Sequence, residues 1–365
     1  MTGNFKGKAL VPGYAPVDGG FVLVATLWML SAIVLAAGFF AAWTQGVLDL
    51  AVDKQAELRA EMEMSSTRSA VLYLLATRPK RHAGVVLNAS AFQMESEDNN
   101  DPFRPAADPT GPMLPLDDSP CFGFGEVRFS VQDERGLVGL NGFQRRPIER
   151  LLGLLGVRSD QQGPLVDKLL DYIDPDDLRR LNGAEAEAYN EEHRPPPSNR
   201  PLITSREAAN VLGWRDVDNL WDQDYFPRLT TVACSGVPNF NLAPLKVLQT
   251  ISGIDRTTAL RLIESRKERP FREARDVYRF ARKSLSLNPL EMAFLPSPFM
   301  RIRIWPESGK RMKVIHVRLT PMAANSAPWE IDHQLDVPIP TNEKDADCQT
   351  FSIPAFAQAV CSDPK

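Results

Sequence analysis

The sequence predicts an α+β fold with a long N-terminal helix, an antiparallel sheet and a large helical block inserted between strands of that sheet. No charged residue and no proline occurs between Phe21 and Asp49, which predicts the first part of the helix. Apolar and polar residues alternate near 127–131 and 300–304, as in half-buried strands. Because a stable sheet needs three or more strands with an apolar face, we expect these two regions to join in one sheet.

The composition limits the functions that this chain can have. Its 365 residues are enough for two or three domains, and a formal net charge of −4 argues against a general binder of polyanions. Lys6 and Lys8 precede the apolar run, whereas Asp49 and Asp53 follow it. The positive-inside tendency therefore predicts a single-pass inner-membrane protein whose head lies in the periplasm.

The apolar run from Phe21 to about Trp43 has the length of a membrane-spanning helix. It begins directly after Gly19-Gly20, so the obvious cleavage site precedes the apolar core, whereas a secretory signal is cut after its core. This junction resembles the class III signal that prepilin peptidase cleaves in type IV pilins and type II secretion pseudopilins. The resemblance implies cleavage after Gly20 and a methylated N-terminal Phe21; the alternative is a simple N-terminal anchor.

The fifth position after this junction departs from the usual pilin pattern. Most pilins of this kind carry Glu there, and this chain carries Ala25. A carboxylate inside the membrane is costly unless it is paired, and in a growing filament its partner is the N-terminal amine of the subunit added before it. A subunit that enters first has no such partner. Lack of this Glu is typical of the K-type minor pseudopilin, and the resemblance implies a place at the filament tip.

The next segments predict the elements of the head. Neither Gly nor Pro interrupts 47–78, so we expect the first helix to continue until Pro79 stops it. Residues 79–121, which include the acidic stretch 94–102, are expected to be loop. Residues 122–141 predict a β-hairpin that turns at Asp133-Glu134-Arg135-Gly136.

Several motifs resemble those of type II secretion minor pseudopilins of the general secretion protein K family. DERGLVGLN at 133–141 resembles that family's strand-turn-strand, and DYIDPD at 171–176, GAE at 183–185 and Tyr189 resemble its acidic motif. NRPL at 199–202, followed by TSRE at 204–207, resembles its next helix start. The match covers most of residues 125–300.

The acidic motif predicts a calcium site. Ca²⁺ prefers six to eight oxygen ligands, which clustered carboxylates on an irregular loop supply, although the residues alone favour helix caps and solvated acids. The family binds calcium in its head, and this resemblance implies Asp174, Asp176 and Glu185 as ligands. The family's next acid is replaced by Ala186, so we expect the site to be weakened, rebuilt with Asp177 or Glu187, or lost.

Residues 239–271 predict a helix-hairpin-helix and supply the main alternative function. In DNA-binding proteins such a turn grips a phosphate, and the neighbouring basic residues fit this role: Lys246, Arg256, Arg261, Arg266, Lys267 and Arg269. K-type pseudopilins carry a similar sterile-alpha-motif-like subdomain at this place. The negative net charge of the chain and its anchored N-terminus argue against a nucleic-acid partner. The alternative is a membrane-anchored DNA-binding or uptake protein.

The cysteines and histidines give no catalytic pattern. Cys121, Cys234, Cys348 and Cys361 show no CxxC spacing, and the periplasm permits disulfides; Cys348 with Cys361, and Cys121 with Cys234, is one pairing. His82, His193, His316 and His333 match no metal or nucleophile spacing. The paired carboxylates near 171–187 leave a hydrolase as a third hypothesis. We expect no enzyme.

The resemblance implies a tip subunit of the pseudopilus, which exports folded proteins across the outer membrane. Its expected partners are the I- and J-type minor pseudopilins, the major pseudopilin, prepilin peptidase and the inner-membrane secretion platform. The predicted organisation is a leader at 1–20, a membrane or filament-core helix at 21–43, its periplasmic half at 44–78, loop at 79–121, sheet at 122–141 and 298–340, a helical insertion at 142–297 with the sterile-alpha-motif-like part at 237–285, and a tail at 341–365.

Overall fold

A computed structural model describes most of the chain between Gly20 and the end of the head. The described residues are 20–87, 112–142, 144–217, 220–233, 236–282, 285, 288–320 and 327–341. The predicted leader before Gly20, the acidic stretch 94–102 and the tail beyond 341 lie outside these residues. The chain divides into two compact units, Met1–Arg59 and Ala60–Lys365.

The elements belong to an α+β fold, and the predicted class is confirmed. The helices are α1 (Gly20–Thr77), α2 (Arg145–Leu154), α3 (Ser159–Ile173), α4 (Ala186–Glu191), α5 (Tyr225–Leu229), α6 (Leu245–Thr250), α7 (Arg256–Glu268) and α8 (Ala274–Ala281). The strands are β1 (Lys80–Arg81), β2 (Gly84–Val86), β3 (Met113–Pro115), β4 (Cys121–Phe122), β5 (Val127–Asp133), β6 (Val138–Gly139), β7 (Thr230–Thr231), β8 (Phe299–Pro306), β9 (Arg311–Leu319) and β10 (Trp329–Pro338).

Helix α1 ends at Thr77, two residues before Pro79. Proline lacks an N–H and also disfavours helical backbone in the residue before it, so this end follows directly from the sequence. In the first unit, the large apolar side chains between Val22 and Val52 are exposed. Among the described residues, α1 is the helix whose apolar segment has the length and composition to cross a membrane.

The main sheet has five antiparallel strands in the order β10-β9-β8-β5-β4. One face packs against the C-terminal part of α1, because the alternating apolar residues of its strands all point to that side. This first core contains, among others, Leu72 and Leu75 of α1, Val127, Phe129 and Val131 of β5, and Ile302 and Ile304 of β8. Strands β5 and β8, separated by more than 160 residues of sequence, are neighbours in this sheet.

The predicted hairpin around 133–136 is wrong in its second strand. After the turn the chain does not pair back onto β5; instead β6 pairs in parallel with β7, which lies within the helical block. Strand β5 makes its hairpin with β4, which precedes it. Leu137, Val138 and Leu140 are buried, but an apolar segment in the sequence does not show which strand it will pair with.

The predicted loop at 79–121 contains short strands among its described residues. Strands β1, β2 and β3 form a separate three-stranded antiparallel sheet. Val85 and Leu114 of this sheet join the first core and are fully buried. Strands of two or three residues are too short to give a recognisable alternation, which is why the sequence did not predict them.

The second face of β8 is also buried. Arg301 and Arg303 alternate with the apolar residues and predicted a solvated face, but they are only 3% and 2% exposed. Arg301 donates from Nη1 to the carbonyl of Pro227 in α5, at 2.8 Å. Arg303 donates from Nε to Asp118 at 2.8 Å. The inserted residues therefore cover the polar face of the sheet.

Residues 140–293 have a core of their own. Its largest fully buried side chains include Trp214, Tyr189, Phe226, Phe240 and Phe271. Trp214 donates its indole N–H to the carbonyl of Leu165 at 2.9 Å, so its one polar group is satisfied inside this core.

The turn after β5 leaves no room for a side chain at Gly136. A Cβ added there would lie 2.9 Å from the backbone oxygen of Leu242, which cannot move without shifting the inserted block. We expect Gly136→Ala to lower the free energy of unfolding by about 1–3 kcal/mol, the usual cost of overpacking. Denaturant unfolding of the full chain in detergent measures this.

Gly163→Ala, in α3, is the matched control, because its nearest neighbours would lie 3.8 Å or more from the new Cβ. We expect it to be neutral or stabilising, since alanine is the better helix former. Equal losses in the two variants would contradict close packing of the sheet against the insertion at Gly136.

Candidate functional site

The acidic motif forms a buried carboxylate cluster after the end of α3. Asp171 is fully buried, and Asp174 is 6% exposed. The guanidinium of Arg180 lies between them and donates from Nη1 to Asp171 Oδ1 and to Asp174 Oδ2, both at 2.5 Å. A buried ion pair of this kind is stable only when its remaining oxygens find donors.

Several of those oxygens have no donor among the described residues. They are Oδ1 of Asp174 and both carboxylate oxygens of Glu185. Burial, followed by the nearby charges of Asp171 and Asp174, raises the pKa of Glu185 to about 7. The cluster therefore carries more negative charge than Arg180 alone offsets.

Gly183 explains why the motif needs a glycine before Glu185. A Cβ at Gly183 would lie 1.7 Å from Oδ2 of Asp171, so the carboxylate occupies the place of a side chain. The backbone N–H of Arg180 also donates to Asp171, at 3.2 Å. The glycine thus lets the loop 174–185 fold back onto the end of α3.

The three predicted ligands are only partly brought together. Asp174 and Glu185 belong to the buried cluster, whereas Asp176 is exposed and accepts a bond from the backbone N–H of Leu178 at 2.9 Å. The structure adds Asp171, which the sequence did not single out as a ligand. Among the described residues, no group of three or more His, Cys, Asp or Glu side chains is arranged to hold a metal ion. The unpartnered oxygens have the right chemistry for Ca²⁺, but Arg180 would have to leave first.

The Asp133-Glu134 turn joins the sheet to the inserted block. Asp133 Oδ2 accepts from the backbone N–H of Ser297 at 2.9 Å, at the point where the chain returns to the sheet. The carboxylate of Glu134 accepts from the hydroxyl of Thr231 and pairs with Nδ1 of His316. Burial alone would raise the pKa of Glu134, but these partners together lower it. The motif therefore has a structural role.

Two of the family-like motifs bind one another directly. The side chain of Asn141, which ends the DERGLVGLN motif, accepts from the backbone N–H of Leu202 at 2.8 Å. Its amide donates to the carbonyls of Leu202 and Val232, each at 3.0 Å. The Asn141 side chain thus links the NRPL motif to the residue after β7 through hydrogen bonds to the backbone of both.

The basic residues of the predicted helix-hairpin-helix are largely used inside the chain. Arg266 donates to the carbonyls of Phe240 and Ala243 at 2.9 and 2.8 Å. Lys246 donates to the carbonyl of Leu154 at 3.1 Å, and Arg261 to that of Ala281 at 3.3 Å. Asp255 caps α7 and accepts from the N–H of Thr258, so a carboxylate occupies the helix start that would otherwise bind a phosphate. Arg256, Lys267 and Arg269 remain exposed.

Two histidines that are distant in sequence stack on each other. The ring centroids of His316 and His333 lie 4.0 Å apart, because β9 and β10 pair these residues in register. Burial, and then the charge of His316, lowers the pKa of His333 to about 4. The irregularity in register between Ile331 and His333 could not be read from the sequence, so this pair was missed.

The predicted processing and disulfide residues are only partly described. Helix α1 begins at Gly20, and Ala25 lies on it, half-buried. Cys121 in β4 is buried, whereas Cys234, Cys348 and Cys361 lie outside the described residues. The proposed cysteine pairing therefore stays a prediction.

Comparisons with known proteins agree with the motifs of the inserted block. The model of the family described as Type II secretion system (T2SS), protein K, matches residues 134–218. The chain is also similar to a chain in the crystal structure of the GspK–GspI–GspJ complex from the enterotoxigenic Escherichia coli type 2 secretion system, with 14% identity and a TM-score of 0.47, over 78% of this chain and 99% of that chain. No protein of curated function matches the sequence.

The match to the protein K model supports a minor pseudopilin role in type II secretion, and the apolar N-terminal helix followed by an α+β head fits that role. Residues 134–218 are similar to protein K, and the resemblance predicted from the sequence is confirmed.

Arg180 can be tested as the cation that holds the acidic cluster together. We expect Arg180→Gln to lower the free energy of unfolding by roughly 3 kcal/mol in EDTA, because Asp171 and Asp174 lose their shared partner while buried. Arg179→Gln, at an exposed neighbouring position, is the control and should change little. Denaturant unfolding that gives the same stability for both variants would contradict this assignment.

Proposed function

We propose that this chain starts and caps the pseudopilus as part of a tip complex with the I- and J-type minor pseudopilins. The match of residues 134–218 to protein K, within a head that follows an apolar helix, carries this proposal. The first part of α1 would pack with the equivalent helices of those partners. Its exposed apolar side chains suit contact with other apolar helices. The major pseudopilin would then be added below.

The bulk of the head supports a place at the tip. The inserted block has its own core and covers the polar face of the sheet, so the head is larger than the sheet and α1 alone require. A subunit with such a head is hard to cover by a following one, which fits capping. The same filament would push or gate folded cargo through the outer membrane.

We also propose that prepilin peptidase cuts after Gly20 and that the inner-membrane platform receives the mature chain with Phe21 first. The charge asymmetry around the apolar run supports a periplasmic head. Ala25 in place of the usual Glu supports a subunit that needs no partner amine ahead of it.

The role that we propose is assembly without catalysis. Among the described side chains, Glu134 and His316 most resemble a catalytic acid–base pair. They are bound to each other at the place where the sheet meets the insertion. The carboxylates of the acidic cluster share Arg180. Both arrangements support a structural role for groups that could otherwise serve a hydrolase.

Calcium binding at the acidic cluster is part of the proposal. Asp174 and Glu185 would supply the carboxylate oxygens that lack donors, with Asp171 added and Asp176 at the rim. Calcium would supply the positive charge that orders the loop 174–185 once Arg180 has left. The loss of an acid at Ala186 is consistent with a cluster that relies partly on Arg180.

The tip role predicts a specific N-terminus and a specific effect at Ala25. After co-expression with prepilin peptidase and the I- and J-type pseudopilins, mass spectrometry should show a chain that begins with N-methylated Phe21 and co-purifies with both partners. Ala25→Glu should reduce the co-purified amount several-fold, because the new carboxylate has no amine to pair with in the membrane.

Ala25→Ser is the matched control and should assemble normally, since a serine hydroxyl can bond to its own helix. An uncut chain beginning near Met1 would overturn the pseudopilin proposal. Salt-dependent DNA binding by the full chain, lost in Arg256→Gln, would move the helix-hairpin-helix alternative to the front.

Calcium should raise the thermal stability of the wild-type chain over EDTA and should do so more strongly in Arg180→Gln, where no guanidinium competes. Asp174→Asn should remove the effect, whereas Asp216→Asn, at an exposed position outside the cluster, should keep it. A melting temperature that is the same in calcium, magnesium and EDTA would contradict the calcium site.

A further inference from the structure

A small cavity lies where the inserted block covers the polar face of the sheet. Its volume is about 20 Å³. The polar groups that line it include Ser205, Arg206, Asp224, Arg228, Arg301 and Arg303. None of them belongs to the acidic cluster or to the apolar helix.

The guanidinium groups of this cavity outnumber its carboxylates. Asp118, behind the lining, accepts from Arg303 and Arg228, and these charges hold its pKa below the usual range against the effect of burial. Asp224 pairs with Arg206 at 2.7 Å. Asp118 and Asp224 thus pair with three of the four arginines, and Glu134 adds a third negative charge near Arg301.

Arg301 is the fourth, and it has no carboxylate bonded to it. Its Nη groups donate to the carbonyls of Pro227 and Arg228 at 2.8 and 2.6 Å. Its Nε–H, although fully buried, has no hydrogen-bond partner among the described residues. A buried charged donor in this state is costly, so it indicates a ligand that the protein atoms do not supply.

The same cavity has a second unsatisfied nitrogen. Nε2 of His333, which also lines it, is shielded from solvent and has no partner among the described residues. The cavity thus combines surplus positive charge with two nitrogens that lack partners. That combination suits an anion better than a cation or an apolar group.

The cavity has room for a small anion. A cavity must offer roughly 10–15 Å³ to hold one water molecule, so about 20 Å³ admits one monatomic ion. We propose that a chloride ion binds here, between Arg301 on β8 and residues 204–206 and 224–228 of the insertion. The ion ties the insertion to the sheet and neutralises Arg301.

The proposal does not depend on the place of the chain in the filament. It concerns only the stability and register of the insertion on the sheet. A pseudopilin that failed to assemble at the tip could still bind chloride, and the two outcomes are measured separately.

The first test is thermal unfolding of the full chain in detergent at constant ionic strength. Sodium chloride or bromide should raise the melting temperature by about 2–4 °C over sodium gluconate, with a saturable dose dependence. Equal curves in chloride and gluconate would overturn the proposal.

The second test locates the ion. Crystals of the full chain grown in sodium bromide should show an anomalous peak next to Nε of Arg301. Density without an anomalous signal would identify a water molecule and would overturn the proposal, even if the overall stability depended on salt.

Variants connect the two measurements. Arg301→Gln should lose the chloride-dependent rise, whereas Arg269→Gln, at an exposed position on another part of the insertion, should keep it. Ser205→Val, which leaves every guanidinium in place but fills part of the cavity, should also abolish the rise, so that misfolding of Arg301→Gln does not decide the outcome. Retention of the full rise in Ser205→Val would place the anion elsewhere.

Discussion

A strand buried on both faces must find a partner for every side chain that it carries, and in β8 this requirement falls on Arg301 and Arg303. Their neighbours Ile302 and Ile304 belong to the apolar core with α1, so the arginines necessarily point the other way. Uncovered, they would be ordinary surface residues. Covered, they require carbonyls, Asp118 and the surrounding insertion to satisfy them, and the packing of the insertion on the sheet follows from that need.

The sequence motifs are placed where the insertion leaves and rejoins the sheet. Asp133 caps the turn after β5 and binds the segment that returns at Ser297, so the exit and the re-entry of the insertion are tied to one carboxylate. Asn141 then binds Leu202 and Val232 within the insertion. Because these links are hydrogen bonds of fixed direction, they determine the register of the insertion more strictly than apolar packing does.

The acidic cluster is organised differently from this joint. Its carboxylates are clustered by Gly183, which lets Asp171 approach the backbone, and they are held by one arginine. A single guanidinium is a weaker constraint than the network around Asp133, and Glu185 keeps unpartnered oxygens with a pKa raised to about 7. The loop 174–185 is thus held to the insertion largely through one ion-paired side chain.

Local structure and the family resemblance could be predicted from the order of residues alone. The end of α1 before Pro79, the strands at β5 and β8, the helices of the insertion and the family motifs all rest on neighbouring residues, where periodicity and turn chemistry act directly. Other features depend on long-range packing: the pairing of β6 with β7, the burial of Arg301 and Arg303, the stacking of His316 on His333, and the place of Arg180 between two aspartates. These features join residues far apart in the chain or depend on what covers a face, and a local pattern of polar and apolar residues carries no information about either.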